Sequence, residues 1–349
     1  MVSKDKFYFS PTSYLRFLAC NDSVNLRSVH KEIRVKTPQK ALLGQIAHKV
    51  LDTASRDFSD IGIENWSEWF ELTWREVEVE FLQAYEAEWS PSPVAPIVSW
   101  KAYFKTKSAA KSLIGSRFES SFKDSEFVYK TNAEVKVFTE KLISDDDLRV
   151  LGYVDRLVLF PDAAHVYDYK FGQSALDSPD YKIQLGIYSI LTARKYGVPV
   201  KKASIIAGAG KEFTFDFESG FLSQLELDLE SAIRKVDSGI SKASPSLKNC
   251  RFCSFKPVCK DFNESGISAE NGIPLVVKGV VTDVRELSPE YVAMRVTDET
   301  QSPSKIYDVT KVPVGYRLQI GDVVHVSGPM QFFSQTSLEF KANTILWRH

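Results

Sequence analysis

Residues 150–170 read VLGYVDRLVLFPDAAHVYDYK. Apolar residues dominate from Val150 to Phe160 and alternate with polar ones from His165 to Lys170, which is the pattern of two strands. Pro161-Asp162-Ala163-Ala164 between them supplies turn formers. The spacing therefore predicts a β-hairpin. Asp168 and Lys170 are two residues apart and project from one face. With the turn centred between Asp162 and Ala163, antiparallel pairing sets Asp155 about opposite Lys170, with Asp168 one diagonal step away. Two carboxylates and an amine then share a patch. Carboxylates in such a patch offer Mg²⁺ or Mn²⁺ hard oxygen ligands, and an ammonium beside them stabilises charge developing on phosphate or water. The Tyr169 carbonyl is a further candidate ligand. An exposed hairpin carrying an ordinary salt bridge would show the same three residues, so the hairpin alone leaves both readings open.

Working outward, the chain alternates between periods. Ala133 to Thr139 alternates like a strand, Tyr181 to Tyr196 is an amphipathic helix, Ala203 to Ala207 and Glu212 to Phe217 read as strands, and Phe221 to Ile240 as a long helix. Upstream, Thr12 to Phe17 predicts a short helix that delivers Cys20 just past its end, and Pro38 to Leu51 a helix carrying Gly44 and His48. Residues 52–130 are helical in pattern, rich in Trp, and interrupted by the hinge Ser90-Pro91-Ser92-Pro93-Val94-Ala95-Pro96. The fold class is α/β, a mixed sheet flanked by helices with a helical insertion at about 52–130. After Cys259 the text changes. Turn formers at 263–272 suggest a linker, and five strand candidates follow: Leu275 to Leu287, Tyr291 to Asp298, Lys305 to Val309, Val323 to Met330 and Ser337 to Leu346. These fit a small all-β barrel over 273–349, with residues 1–262 as the larger domain.

At 349 residues the chain is long for a single core, and 44% hydrophobic with 26% charged residues is ordinary for a globular protein. No apolar run is long enough to span a bilayer, and the N-terminus carries no secretory pattern, so a cytoplasmic protein without a membrane partner is expected. In a reducing compartment, four cysteines favour metal or cluster ligation over disulfides. Cys250 and Cys253, then Cys259, make C-x₂-C-x₅-C, with Cys20 far upstream. Four thiolates suit zinc or a [4Fe-4S] cluster, and spacing does not choose between them.

The residues resemble a known family. Gly152-Tyr153-Val154-Asp155-Arg156 followed by Asp168-Tyr169-Lys170 is similar to the GxxD and (D/E)xK motifs of the PD-(D/E)xK nucleases, specifically the RecB-like branch. Gly44-Gln45-Ile46-Ala47-His48 resembles its upstream G-x-x-x-H, and Gln184-Leu185-Gly186-Ile187-Tyr188 its Q-x-x-x-Y. The resemblance implies a restriction-endonuclease-like core. It implies His48, Asp155, Asp168 and the Tyr169 carbonyl as metal ligands and Lys170 as the catalytic ammonium. Gln184 and Tyr188 would position DNA and that lysine, and Glu134 is a candidate supporting carboxylate. The lone cysteine before the core and the C-x₂-C-x₅-C after it resemble the iron–sulfur subset, which includes AddB-type subunits, the CRISPR adaptation nucleases and the nuclease-helicase that trims Okazaki flaps. That likeness selects a [4Fe-4S] cluster on Cys20, Cys250, Cys253 and Cys259, a staple across a very long loop. In that subset the residue after the first cysteine is often proline; here it is Asn21.

A net charge of −1 gives no global attraction to nucleic acid, so a binding surface must be local. On the helix after Trp100, Lys101, Lys105, Lys107 and Lys111 share one arc with Phe104, the ingredients of a single-strand channel, although a solvated basic helix face would show the same residues. The C-terminal region resembles nucleic-acid-binding OB folds, with a protein-docking module as the alternative. Its eight basic and eight acidic side chains from Ile273 onward would leave affinity to aromatics such as Tyr307, Phe332 and Phe333. Together these features predict a Mg²⁺- or Mn²⁺-dependent deoxyribonuclease acting on single-stranded DNA ends or flaps in repair, recombination or defence. The alternative is a non-catalytic DNA-end-binding subunit beside a helicase or other protein partner.

Overall fold

A computed structural model describes residues 6–31, 33, 37–57, 65–92, 94–120, 135–171, 176–239, 241–251, 253–267, 274–299, 303–328, 330–341 and 344–348. Glu134, much of the 263–272 linker and parts of the helical insertion lie outside these residues. The chain divides into two compact units. The first comprises Met1–Arg16, Gln39–Leu82 and Ile97–Ile240, and the second comprises Phe17–Pro38, Gln83–Pro96 and Ser241–His349.

The first unit is built on a five-stranded mixed sheet in the order β1 (Lys136–Asp145), β2 (Val150–Leu159), β3 (Ala164–Lys170), β4 (Val200–Ala207) and β5 (Glu212–Thr214). β3 lies at its centre, antiparallel to β2 and parallel to β4. A parallel neighbour requires a crossover, and helix α6 (Pro179–Tyr196) supplies it. Its ends are written in the sequence: the Ser178 hydroxyl accepts from the Asp180 N–H at 3.3 Å, Pro179 fits the first turn, and Gly197 takes a left-handed φ of 71° at the stop. Helix α3 (Gln39–Asp57) buries Leu43, Ile46, Ala47, Val50 and Leu51, a helical repeat that fixes which edge carries His48.

The expected hairpin is present with a different register. The Phe160 N–H donates to the Ala163 carbonyl at 2.8 Å, so the turn centres one residue earlier than anticipated. Arg156 pairs with Tyr167 and Leu159 with Ala164. Continuing that register sets Asp155 level with Asp168 rather than with Lys170. A shift of two leaves every side chain on its expected face, which is why the patch survives the error.

In the second unit, strands β6 (Val276–Glu286), β7 (Tyr291–Asp298), β8 (Lys305–Pro313), β9 (Val323–Ser327), β10 (Met330–Phe332), β11 (Ser337–Phe340) and β12 (Ile345–Arg348) form one sheet. Their order is β10-β11-β8-β7-β6-β9-β12, a curled half-barrel of seven strands where the sequence predicts a small barrel of five. Two predicted strands are each divided: Val323 to Met330 breaks at Gly328, whose φ is 114°, and Ser337 to Leu346 yields β11 and β12. Tyr307, expected as an exposed aromatic, is 2% exposed and sits in the core with Val281, Val296, Val309 and Val326. It lies on the inward face of β8, where period two puts it beside Val309.

Candidate metal centre and its surroundings

Three elements of the first unit bring donors together. His48 Nδ1 lies 3.2 Å from Glu140 Oε1 and 3.3 Å from Asp155 Oδ1. One ligand atom from each of these residues falls within 4.8 Å of the others. The Phe171 ring stands at 90° to the imidazole with centroids 5.4 Å apart, which restricts its rotation. The Tyr169 N–H donates to Asp155 Oδ2 at 2.6 Å, tying that carboxylate to β3.

Glu140 is the residue that sequence reasoning missed. It occupies β1 between Thr139, paired with Arg156, and Lys141, paired with Val154, and so lies level with Asp155. Its φ is 45°, a left-handed conformation that costs a non-glycine residue about 1–2 kcal/mol. Such strain persists only where surrounding contacts enforce it. The sole advance signal was its register against Asp155.

Asp168 is 2% exposed and faces two partners. Gln184 Nε2 donates to Asp168 Oδ1 at 2.7 Å, and Lys170 Nζ lies 2.5 Å from Oδ2. That second contact is an ion pair by distance, while Oδ2 receives no well-directed hydrogen bond, so it is under-satisfied for a buried carboxylate oxygen. Burial first, and then the neighbouring Asp155 charge, raise the Asp168 pKa to about 6 despite Lys170. Keeping Asp168 ionised at neutral pH therefore costs the fold on the order of 3 kcal/mol. Burial opposes the charge of His48, but Asp155 and then Glu140 outweigh it and raise its pKa to about 10. Lys170 is likewise opposed by burial and raised on balance by Asp168 and Asp155, so it stays an ammonium at neutral pH. The Tyr181 ring lies 5.2 Å from its Nζ.

Gln184 also donates to the Tyr188 hydroxyl at 3.3 Å, one helical turn along α6. The Tyr188 ring in turn explains Gly152: a Cβ there would fall 2.7 Å from Tyr188 Cε1. The glycine of the first hairpin strand and the tyrosine of α6 are thus two halves of one close contact.

The profile of the PD-(D/E)XK nuclease superfamily matches residues 8–260. The chain belongs to that superfamily. PD-(D/E)XK nucleases are metal-dependent as a family, and the His48, Glu140 and Asp155 donors match that chemistry in kind. Among individual relatives, the Gene 69 protein of Mycobacterium phage L5 is 26% identical over 124 residues, 34% of this chain. The match spans about two fifths of that relative, 41% of its length. A crystal structure of SSO0001 shares 17% identity and a TM-score of 0.24 over 46% of this chain and 79% of its own.

The basic helix of this PD-(D/E)XK protein, α5 (Tyr103–Ser120), divides in two. Lys107 and Lys111 pair with Glu71 at 2.8 and 2.7 Å and lie over the rings of Trp74 and Phe70, so they brace the helical insertion. Lys105 and the preceding Lys101 instead line a cavity shared with His48 and Lys170. Phe104 is 70% exposed.

The second unit carries the four cysteines, all free. Cys250 and Cys259 belong to a buried cluster with Leu26, Ile33, Phe255 and Phe262, and Cys20 and Cys253 pack against it. No three of the four sulfurs lie within 4.8 Å of one another. The Cys20 Sγ accepts from the Ser244 N–H at 3.5 Å and Cys259 Sγ from the Phe262 N–H at 3.4 Å. Burial raises the Cys253 and Cys259 thiols above the usual range. Lys256 lies among them, 3% exposed, and among the described residues its Nζ donates to the carbonyls of Arg251 and Cys253 at 3.2 and 3.1 Å. No helix among the described residues is long and apolar enough to cross a membrane.

Proposed function

We propose that this protein is a Mg²⁺- or Mn²⁺-dependent deoxyribonuclease acting on single-stranded DNA ends or flaps. The observation that carries the reading is the convergence of His48, Glu140 and Asp155 beside the buried Asp168–Lys170 pair. Asp168 fits a cation in particular, because a buried carboxylate with an under-satisfied oxygen next to a second carboxylate gains from a divalent charge between them. His48, Asp155, Asp168 and Glu140 would hold the ion, with the Tyr169 carbonyl a further candidate. The ion would supply Lewis acidity toward the phosphodiester.

The chain's own groups have separable tasks. Lys170, held as an ammonium, cannot serve as a base; it stabilises negative charge on the phosphate as the bond breaks. Gln184 fixes the rotamer of Asp168 and is fixed in turn by Tyr188, so α6 sets the geometry of β3. Lys101, Lys105 and the exposed Phe104 offer phosphate and base contacts, whereas Lys107 and Lys111 are committed to Glu71.

The four cysteines are proposed to hold a [4Fe-4S] cluster. Lys256, buried without a carboxylate partner among the described residues, offers a counter-charge to an anionic tetrathiolate centre. The half-barrel is proposed as an OB-like DNA contact in which Phe333, 60% exposed, is available for stacking.

End-labelled single- and double-stranded oligonucleotides incubated with Mn²⁺, with an EDTA control, test the activity. Metal-dependent shortening of the single strand is expected, and intact DNA in every lane would remove the reading. Iron and acid-labile sulfide analysis tests the cluster, with a zinc-only, colourless protein as the contrary result.

A further inference from the structure

Two cavities meet at Gly44 and His48, and they differ in charge. The first, about 590 Å³, is lined by Lys40, Lys101, Lys105, Trp100 and Tyr181 and reaches Lys170. The second, about 560 Å³, is lined by Lys49, Asp52, Phe81, Glu140 and Tyr153. On α3, at about 100° per residue measured from Gly44, the first cavity takes Gln39, Lys40 and Leu43 at about −140° to −40°. The second takes Ala41, Gln45, Lys49 and Asp52 at about +60° to +140°. The cavities therefore flank a ridge whose crest is Gly44 and His48. A Cβ on Gly44 would meet nothing within 4 Å. The missing side chain lowers the ridge beside the candidate metal ligands and joins the two spaces.

We infer that a single DNA strand threads this passage across Gly44, with the retained DNA held on the lysine side and the severed end leaving on the other. The inference rests on the nuclease reading of the same site and adds a direction to it. Lys40, Lys101 and Lys105 have no carboxylate partner among the described residues, and no acidic residue lines their cavity, so that arm attracts phosphates. The other arm has Asp52 and Glu140 against Lys49, and Asp52 is already matched to Arg56 at 2.5 Å. It offers aromatic surface in Phe81 and Tyr153 but no surplus of positive charge. A strand gripped on one side only is cut near its end.

The test uses a fluorescein-labelled single-stranded oligonucleotide and the full chain, with Ca²⁺ in place of Mg²⁺ to measure binding by anisotropy and Mn²⁺ to measure cleavage. Gly44→Leu fills the gap and is expected to weaken binding at least tenfold, while Mn²⁺ affinity by calorimetry and the melting temperature show that the site and the fold persist. Lys105→Glu should weaken binding and lower the dependence of affinity on salt by about one ion. Lys235→Glu on α7 (Phe221–Asp237), outside both cavities, makes the same change in net charge and controls for it. In Mn²⁺, the first products should be short pieces from one end. Wild-type binding by Gly44→Leu, equal losses in Lys105→Glu and Lys235→Glu, or initial cuts in mid-strand would each overturn the passage. A wild-type protein that shows this binding pattern but leaves DNA uncut would retain the passage and remove the nuclease reading. Cutting by wild type and Gly44→Leu alike would do the reverse, and a protein that neither binds nor cuts would remove both.

Discussion

The carboxylate–lysine site of the first unit and the thiol cluster of the second are both sets of donors held by buried structure, yet they carry opposite electrostatics. In the first, ionised groups are forced together. Asp168 is pushed to about 6 by burial and by Asp155, and His48 is held up near 10 by its two carboxylates. In the second, burial raises Cys253 and Cys259 and so keeps them neutral, and the unmatched charge belongs to Lys256. The first site thus crowds like charges that a cation would relieve, whereas in the second the Cys253 and Cys259 thiols pack as neutral groups and the electrostatic cost falls on one buried ammonium.

The sharpest way to break this comparison is to disable one site and watch the other. Asp155→Asn should lower cleavage at least a thousandfold, about 4 kcal/mol of transition-state stabilisation, with iron content unchanged by elemental analysis. Loss of iron in the same variant would mean that the two sites are not independent. Cys259→Ser should have the complementary effect: a fall of about 2–4 kcal/mol in the unfolding free energy of the second unit, since the proposed cluster would close a very long loop, while Mn²⁺ still binds the first unit. Proteolysis and calorimetry read the two parts separately.

A smaller effect sharpens the electrostatic half. Because the folded pKa of Asp168 lies above its unfolded value of 3.8, its contribution is present below about pH 4 and is lost as pH rises through about 6. The metal-free protein should therefore lose stability across that window, and Mg²⁺ should restore more at pH 7.5 than at pH 5. His48, protonated in both states there, adds no slope below about pH 6.5. Asp168→Asn should flatten the slope and raise metal-free stability by about 1–3 kcal/mol at pH 7.5, because burial and repulsion outweigh the Lys170 pair. Thermal melts across pH check both, and a wild-type slope in the variant would contradict the assignment.

Much of the first site was legible because its chemistry follows local periods. Asp168 and Lys170 share a face by alternation, Gln184 and Tyr188 by helical spacing, and α6 is framed by Ser178, Pro179 and Gly197. What failed depended on distant partners or on backbone conformation. Lys107 and Lys111 look like Lys101 and Lys105 until Glu71, more than thirty residues away, claims them. Glu140 reaches His48 through a left-handed φ that no residue type announces, so the carboxylate sought nearby was Glu134, outside the described residues. Tyr307 reads as an exposed aromatic only if the inward face of β8 is assigned wrongly. The turn was misplaced by one residue, an error hidden by the two-residue periodicity.

Cleavage of an end-labelled single strand in Mn²⁺ by wild type and by Lys170→Ala tests the central claim most directly. Among the described residues Lys170 pairs with Asp168 and lies over the Tyr181 ring, both at the site, so the variant should fold and bind Mn²⁺ while losing cleavage about a hundredfold or more. Cleavage by Lys170→Ala at the wild-type rate, with EDTA still abolishing it, would contradict the account.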